Sequence, residues 1–184
     1  MDGDAFWYES ALLVGVTNAL NVVADAPLET LEPARPDAAA QAVFAEILAF
    51  YDRAEVPVAF RRVAADPGYL ADLWGATRRA FSDQRLSRRH KEALAFAVSV
   101  TTRSAFGTAF HLGEMRRLGV GERGVMEVLG VTQMFSSYTK IADTLQLEPD
   151  MDGIAPVDLS PAPGGATAAP PPRPPRPAAW RACR

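Results

Sequence analysis

Four residues in this chain have types and spacing that could do chemistry: Glu92, Ser104, Gly107 and His111, at successive offsets of twelve, three and four. If one helix carries the last three, they share a face, because seven residues advance close to two full turns. They can then line one pocket. Glu92 lies across an expected chain break and needs a helix hairpin to return its carboxylate to that face. A glutamate beside a histidine is a proton-transfer pair in which the carboxylate orients the imidazole. With the Ser104 hydroxyl as hydrogen-bond donor and a helix N-terminus nearby to favour an anionic group, the set Glu92, His111 and Ser104 suits proton abstraction or donation beside a carbonyl, lactone or carboxylate.

The same residues have plainer roles. A serine at a helix start is often only a cap, a glycine on a helix face is often a close-packing position, and a helical glutamate is usually solvated. His90, in the cluster Arg88-Arg-His-Lys91, is expected at the surface. Tyr138 and Lys140 are spaced by two, lack a preceding Gly-rich dinucleotide loop and are incidental. A helix-turn-helix reading of residues 105–131 fails because Glu122-Arg-Gly-Val-Met-Glu-Val128 has too few bases and polar readers to face DNA.

The elements that must position these residues read as helices, with no hairpin dipeptide and no sustained alternation, so the fold class is all-α. A first helix is expected over about Ala5 to Ala24, stopped by a loop to Pro36 that carries three prolines. Asp37 caps a second, with Val43, Ile47, Phe50 and Tyr51 on one face. A short helix follows from Pro57 to Ala65, and Asp66-Pro67 starts another whose buried stripe is Leu70, Leu73, Trp74 and Phe81. Ser87 caps the segment from Arg88 to about Thr102, with Leu94, Ala97, Val98 and Val100 facing inward. Ser104 caps the next, running to Leu118 with Gly119 as its stop. A last helix, from about Gly121 to Leu145, is expected to bury Val125, Val128, Leu129, Met134 and Ile141.

The 184 residues, 48% of them hydrophobic, are enough for one packed domain. The expected organisation is an N-terminal helix and Pro-containing loop over 1–36, a compact helical domain over 37–154 and a disordered tail over 155–184. Nine of the fifteen prolines and four arginines against one acid lie in that tail. The net charge of −3 for the chain thus divides into +3 on the tail and −6 on residues 1–154. An acidic body gives no basic footprint for nucleic acid or an anionic membrane surface. The apolar stretch from Ala11 to Ala26 follows Asp2, Asp4 and Glu9 and is interrupted by Thr17, Asn18 and Asn21, unlike a signal peptide, and no run is long enough for a membrane span. The single cysteine, Cys183, provides neither a disulfide framework nor a metal site. A cytoplasmic protein without metal or other cofactor is expected.

Glu-x11-Cys-x2-Cys-x3-His is the signature of the alkylhydroperoxidase D and carboxymuconolactone decarboxylase superfamily, and this chain resembles it as Glu92-x11-Ser104-x2-Gly107-x3-His111. Val56-Pro-Val-Ala-Phe-Arg61 and Pro67-Gly-Tyr-Leu70 are similar to that superfamily's upstream helices, Leu86-Ser-Arg-Arg-His-Lys-Glu92 to the start of its motif helix, and Leu118-Gly119 to the turn after its histidine. The resemblance spans about residues 40 to 147 and is strongest over 86 to 135. In the family the cysteine nearer the histidine attacks peroxide and its partner resolves the sulfenic acid as a disulfide. Neither step is open to Ser104 and Gly107.

The decarboxylase branch lacks the cysteine pair and often has an acid where this chain has Gly107. The resemblance therefore implies a compact helical domain that assembles with copies of itself. It also implies cofactor-independent acid-base chemistry of a decarboxylase or lyase type on a small carboxylate or lactone, through Glu92, His111 and Ser104. The alternative is a non-catalytic homo-oligomeric binding or scaffold protein. Thiol peroxidase activity is disfavoured.

Overall fold

The computed structural model describes residues 3–27 and 35–147. Among them are seven helices and no strand: α1 (Gly3–Asp25), α2 (Ala38–Tyr51), α3 (Val58–Arg62), α4 (Pro67–Phe81), α5 (Arg88–Thr102), α6 (Ala105–Arg117) and α7 (Glu122–Leu145). The expected proline-rich tail and most of the α1–α2 loop lie outside the described residues.

Local chemistry sets the boundaries. Asp37 caps α2 by accepting from the Ala40 amide, and Asp66 caps α4 by accepting from Tyr69, with Pro67 in the first turn. Ser87 and Ser104 cap α5 and α6 in the same way, through the His90 and Gly107 amides. The α5 helix ends at Arg103, a non-glycine residue in the left-handed region at φ 60°, whose amide returns to the Ser99 and Val100 carbonyls. Gly119, at φ 82°, ends the α6 turn in a conformation that costs other residues strain. Arg62 Nη1 donates to the Val23 and Ala24 carbonyls at the end of α1 and to the Ala26 carbonyl just beyond it.

The main core draws Leu13, Val16 and Leu20 from α1, Ile47 and Tyr51 from α2, Phe60 from α3, Leu70, Leu73, Trp74 and Phe81 from α4, Ala95 from α5 and Phe110 from α6. A smaller cluster of Phe96, Met115 and Val125 joins α5, α6 and α7. The α5 helix is central, packing most extensively on α6 and α1, and the described residues up to Gln146 form one unit. Helix α1 is built into the same core as the helices after residue 37.

Two expected faces are corrected. On α5 the buried stripe is Lys91, Glu92, Ala95, Phe96 and Ser99, while Leu94 is exposed and Ala97, Val98 and Val100 are half-buried. The helix is turned so that polar groups point inward, because each finds a partner there. Lys91 Nζ pairs with Glu9 at 2.6 Å and donates to the Ser82 carbonyl, and Ser99 meets Asn21. On α7, Val125 is buried and Val128 and Leu129 pack against the small cluster, but Met134 and Ile141 are exposed. The helix continues past the surface that α5 offers, so its second half has no core to enter.

Candidate functional site

His111, in the middle of α6, and Glu92, one turn into α5, are both buried, and the imidazole Nδ1 lies 2.7 Å from Glu92 Oε2. A carboxylate oxygen accepts, so Nδ1–H is the donor of this pair and Nε2 is the ring nitrogen left over. Nε2 has no hydrogen-bond partner among the described residues. The ring is held on its face by Phe81, stacked with centroids 5.6 Å apart, and on its edge by Phe110 at 5.2 Å.

Glu92 has a second partner: its Oε1 accepts from Arg88 Nε at 2.6 Å. The Arg88 guanidinium lies over the rings of Phe50, Tyr51 and Phe81, 4.4 to 5.4 Å from their centroids. Beyond it stands a second buried carboxylate, Glu114, bonded to Arg53 at 3.0 Å and to Arg117 at 2.7 Å. Arg88 Nη2 lies 3.6 Å from Glu114 Oε2, and this buried nitrogen has no hydrogen bond. Three guanidinium groups thus surround two carboxyl groups, and Glu92 in turn fixes the imidazole. The hydrogen bond from Arg117 to Glu114 also raises the Arg117 pKa above its ordinary value.

His111 borders a small cavity, about 10 Å³ in volume, whose walls include Leu20, Tyr51, Phe60, Phe106 and Phe110. That volume holds one water molecule. Tyr51 is pushed well above the ordinary phenol range by burial first and then by the Glu92 and Glu114 carboxylates, so its hydroxyl stays protonated.

The other two positions of the frame serve packing. Ser104 is buried and its hydroxyl oxygen accepts from the Gly107 amide at 2.9 Å; no described contact joins it to Glu92 or His111. A Cβ on Gly107 would stand 2.8 Å from Asn21 Cγ and closer still to Asn21 Oδ1 and Ser99 Oγ. The space beside Gly107 is therefore filled from α1, by an asparagine whose amide donates to Ser99 at 3.0 Å. His90 is exposed, as are Tyr138 and Lys140. Among the described residues no group of His, Cys, Asp or Glu is placed to hold a metal ion.

Sequence reasoning missed Arg88, Glu114, Tyr51 and Asn21. Arg88 stands four residues before Glu92, the spacing of a helical ion pair, and so carried a signal. Asn21, 86 residues before Gly107 in sequence, carried none beyond interrupting an apolar run.

The helical unit, with its buried Glu–His pair at the α5–α6 junction, can be set beside known proteins. The Carboxymuconolactone decarboxylase family matches residues 67–147. The chain is similar in fold to the crystal structure of the alkylhydroperoxidase AhpD core from Rhodospirillum rubrum, with TM-score 0.60 and 21% identity over 64% of this chain and 88% of that one. No curated protein matches the chain. Residues 67–147 are thus similar to the Carboxymuconolactone decarboxylase family and the fold is similar to an alkylhydroperoxidase D core, while this chain has Ser104 and Gly107 where that superfamily's signature has paired cysteines.

Proposed function

We propose that the chain is a cofactor-independent acid-base enzyme of the decarboxylase or lyase type, acting on a small carboxylate or lactone, with His111 Nε2 moving the proton and Glu92 holding the ring. The observation that carries this reading is the buried 2.7 Å contact between Glu92 and His111, which leaves Nε2 without a partner among the described residues on a ring that borders a cavity. Arg88 supports it by neutralising Glu92 without touching the imidazole. Ser104 enters as the cap that starts α6, which places the histidine two turns later. Thiol chemistry is set aside because Ser104 and Gly107 carry no sulfur and the side-chain space at Gly107 is occupied.

A ligand larger than water must displace part of the apolar wall beside His111, so binding should order or shift Phe106 and Phe110. The test is a thermal-shift screen of small carboxylates and lactones on the full chain and on His111→Gln, followed by a turnover assay on any that bind. A ligand that stabilises the wild type, with turnover lowered by about 10²-fold or more in His111→Gln, is the expected result. If no compound stabilises either protein, acid-base catalysis at this site is abandoned.

The cavity's small size favours a second reading: a non-catalytic, self-associating binding or scaffold protein in which the charged cluster is structural. Under it, His111→Gln costs stability but removes no activity. Cytoplasmic residence belongs to both readings, and no described helix is long and apolar enough to cross a membrane.

A further inference from the structure

Tyr51, the last residue of α2, borders the same cavity of about 10 Å³ as His111. It is 1% exposed, and its hydroxyl has no hydrogen-bond partner among the described residues. A buried tyrosine hydroxyl ordinarily has one, because desolvating it without a partner costs free energy. Elsewhere the fold supplies such partners: the indole N–H of buried Trp74 donates to Glu46 at 2.9 Å, and the buried Thr77 hydroxyl donates to the Leu73 carbonyl. The cavity is thus bordered by two side chains with an unused hydrogen-bonding atom, His111 with Nε2 and Tyr51 with its hydroxyl. Its other walls are apolar, among them Leu20, Pro57, Phe60, Phe106 and Phe110.

Packing fixes the Tyr51 ring without engaging its hydroxyl. Phe110 meets Tyr51 edge-on with centroids 5.1 Å apart and meets His111 edge-on at 5.2 Å, so one side chain positions both. Phe50 packs edge-on against Tyr51 at 5.1 Å, and the Arg88 guanidinium lies 5.0 Å from the Tyr51 centroid.

We propose that Tyr51 is a catalytic residue of this site, its hydroxyl donating a hydrogen bond to the carbonyl oxygen of a neutral ligand while His111 Nε2 takes a proton from the adjoining carbon. The assignment rests on the reading of His111 as the proton-transfer group and adds the group that receives the charge. When the C–H bond breaks, the proton goes to Nε2. The electron pair becomes the C=C bond of an enolate, whose negative charge rests on the former carbonyl oxygen. A fixed donor aimed at that oxygen in a closed site is worth more than the same donor in water. The phenol keeps its own proton throughout, since burial and then the Glu92 carboxylate raise its pKa against the opposing effect of Arg88. The ligand is neutral at this contact because none of the residues bordering the cavity is a lysine or arginine to offset a buried carboxylate.

The experiment is hydrogen–deuterium exchange at the carbon beside the carbonyl of γ-butyrolactone in deuterium oxide, followed by proton NMR. It is run with the full chain, Tyr51→Phe and His111→Gln, and urea midpoints are measured for all three. The expected result is exchange above the buffer rate for the wild type and its loss in His111→Gln. In Tyr51→Phe the maximal rate should fall at least ~10²-fold with the half-saturating concentration changed far less, because the hydrogen bond strengthens as charge reaches the oxygen. The Tyr51→Phe urea midpoint should equal or exceed that of the wild type, because the hydroxyl removed has no partner in the protein. A lower midpoint would show that the hydroxyl serves the fold and would overturn the assignment. Exchange that is lost in His111→Gln and kept in Tyr51→Phe leaves His111 standing and overturns Tyr51. No exchange above buffer by the wild type, or equal exchange in His111→Gln, overturns proton abstraction by His111 and the Tyr51 assignment with it.

Discussion

Gly107 sits where the side chains of Asn21 and Ser99 converge, and that convergence decides what the frame around it can do. Adding one methyl at this point overpacks a buried polar contact, which costs about 1–3 kcal/mol, more than the helix propensity that alanine returns. Gly107→Ala is therefore expected to lower the unfolding free energy in urea by about 1–2 kcal/mol. In combination with Asn21→Ala the two losses should fall short of their sum, because the second substitution empties part of the space the first one needs. Additive losses would show that Asn21 does not fill that space. Neighbouring residues were unequally legible in the sequence. His111 and Glu92 stood out by spacing, and their contact is direct. Ser104 was read as both cap and donor, and the cap is the role with a visible partner. Nothing local marks Asn21 as the occupant of the Gly107 slot, because that contact exists only once α1 lies across the α5–α6 junction.

At the scale of elements, α1 is held to the rest by more than its apolar face. Glu9 is bound to Lys91 at 2.6 Å and accepts from the Arg85 and Leu86 amides, which joins the first third of α1 to the α4–α5 connection. Burial pushes the Glu9 carboxyl up, but the Lys91 ammonium and the two amides outweigh it, so its pKa lies below the ordinary value. A group with a depressed native pKa contributes stability that is complete above its unfolded pKa and is lost as pH falls through the native one. Acidification through the carboxylate range should therefore loosen α1, and Glu9→Gln should flatten that part of the stability-pH curve. Urea midpoints measured from neutral to acid pH check this, and parallel curves for the two proteins would contradict it. Capping residues announced the helix starts, since an N-cap bonds its own first turn and needs no other element. The inward face of α5 was misread because hydrophobicity assigns Lys91, Glu92 and Ser99 to solvent, whereas their partners lie on α1, the α4–α5 connection and α6.

For the whole molecule, one cysteine at position 183 and no sulfur at 104 or 107 leave an alkylhydroperoxidase D-like fold without a dithiol at its α5–α6 junction. Peroxide consumption by the full chain should stay at the buffer background and be unchanged in Cys183→Ser; turnover above background would mean a cysteine-independent route. What the sequence by itself determined is what neighbouring residues settle among themselves: helices and their caps, the absence of the cysteine pair, and the shared face of Ser104, Gly107 and His111. Only the tertiary structure decided that Arg88 and Glu114 extend the Glu–His pair into a charged cluster, that Asn21 fills the space beside Gly107, and that the second half of α7 is exposed. Those outcomes depend on side chains brought together from distant parts of the chain, where a polar residue is buried or exposed according to the partner it meets.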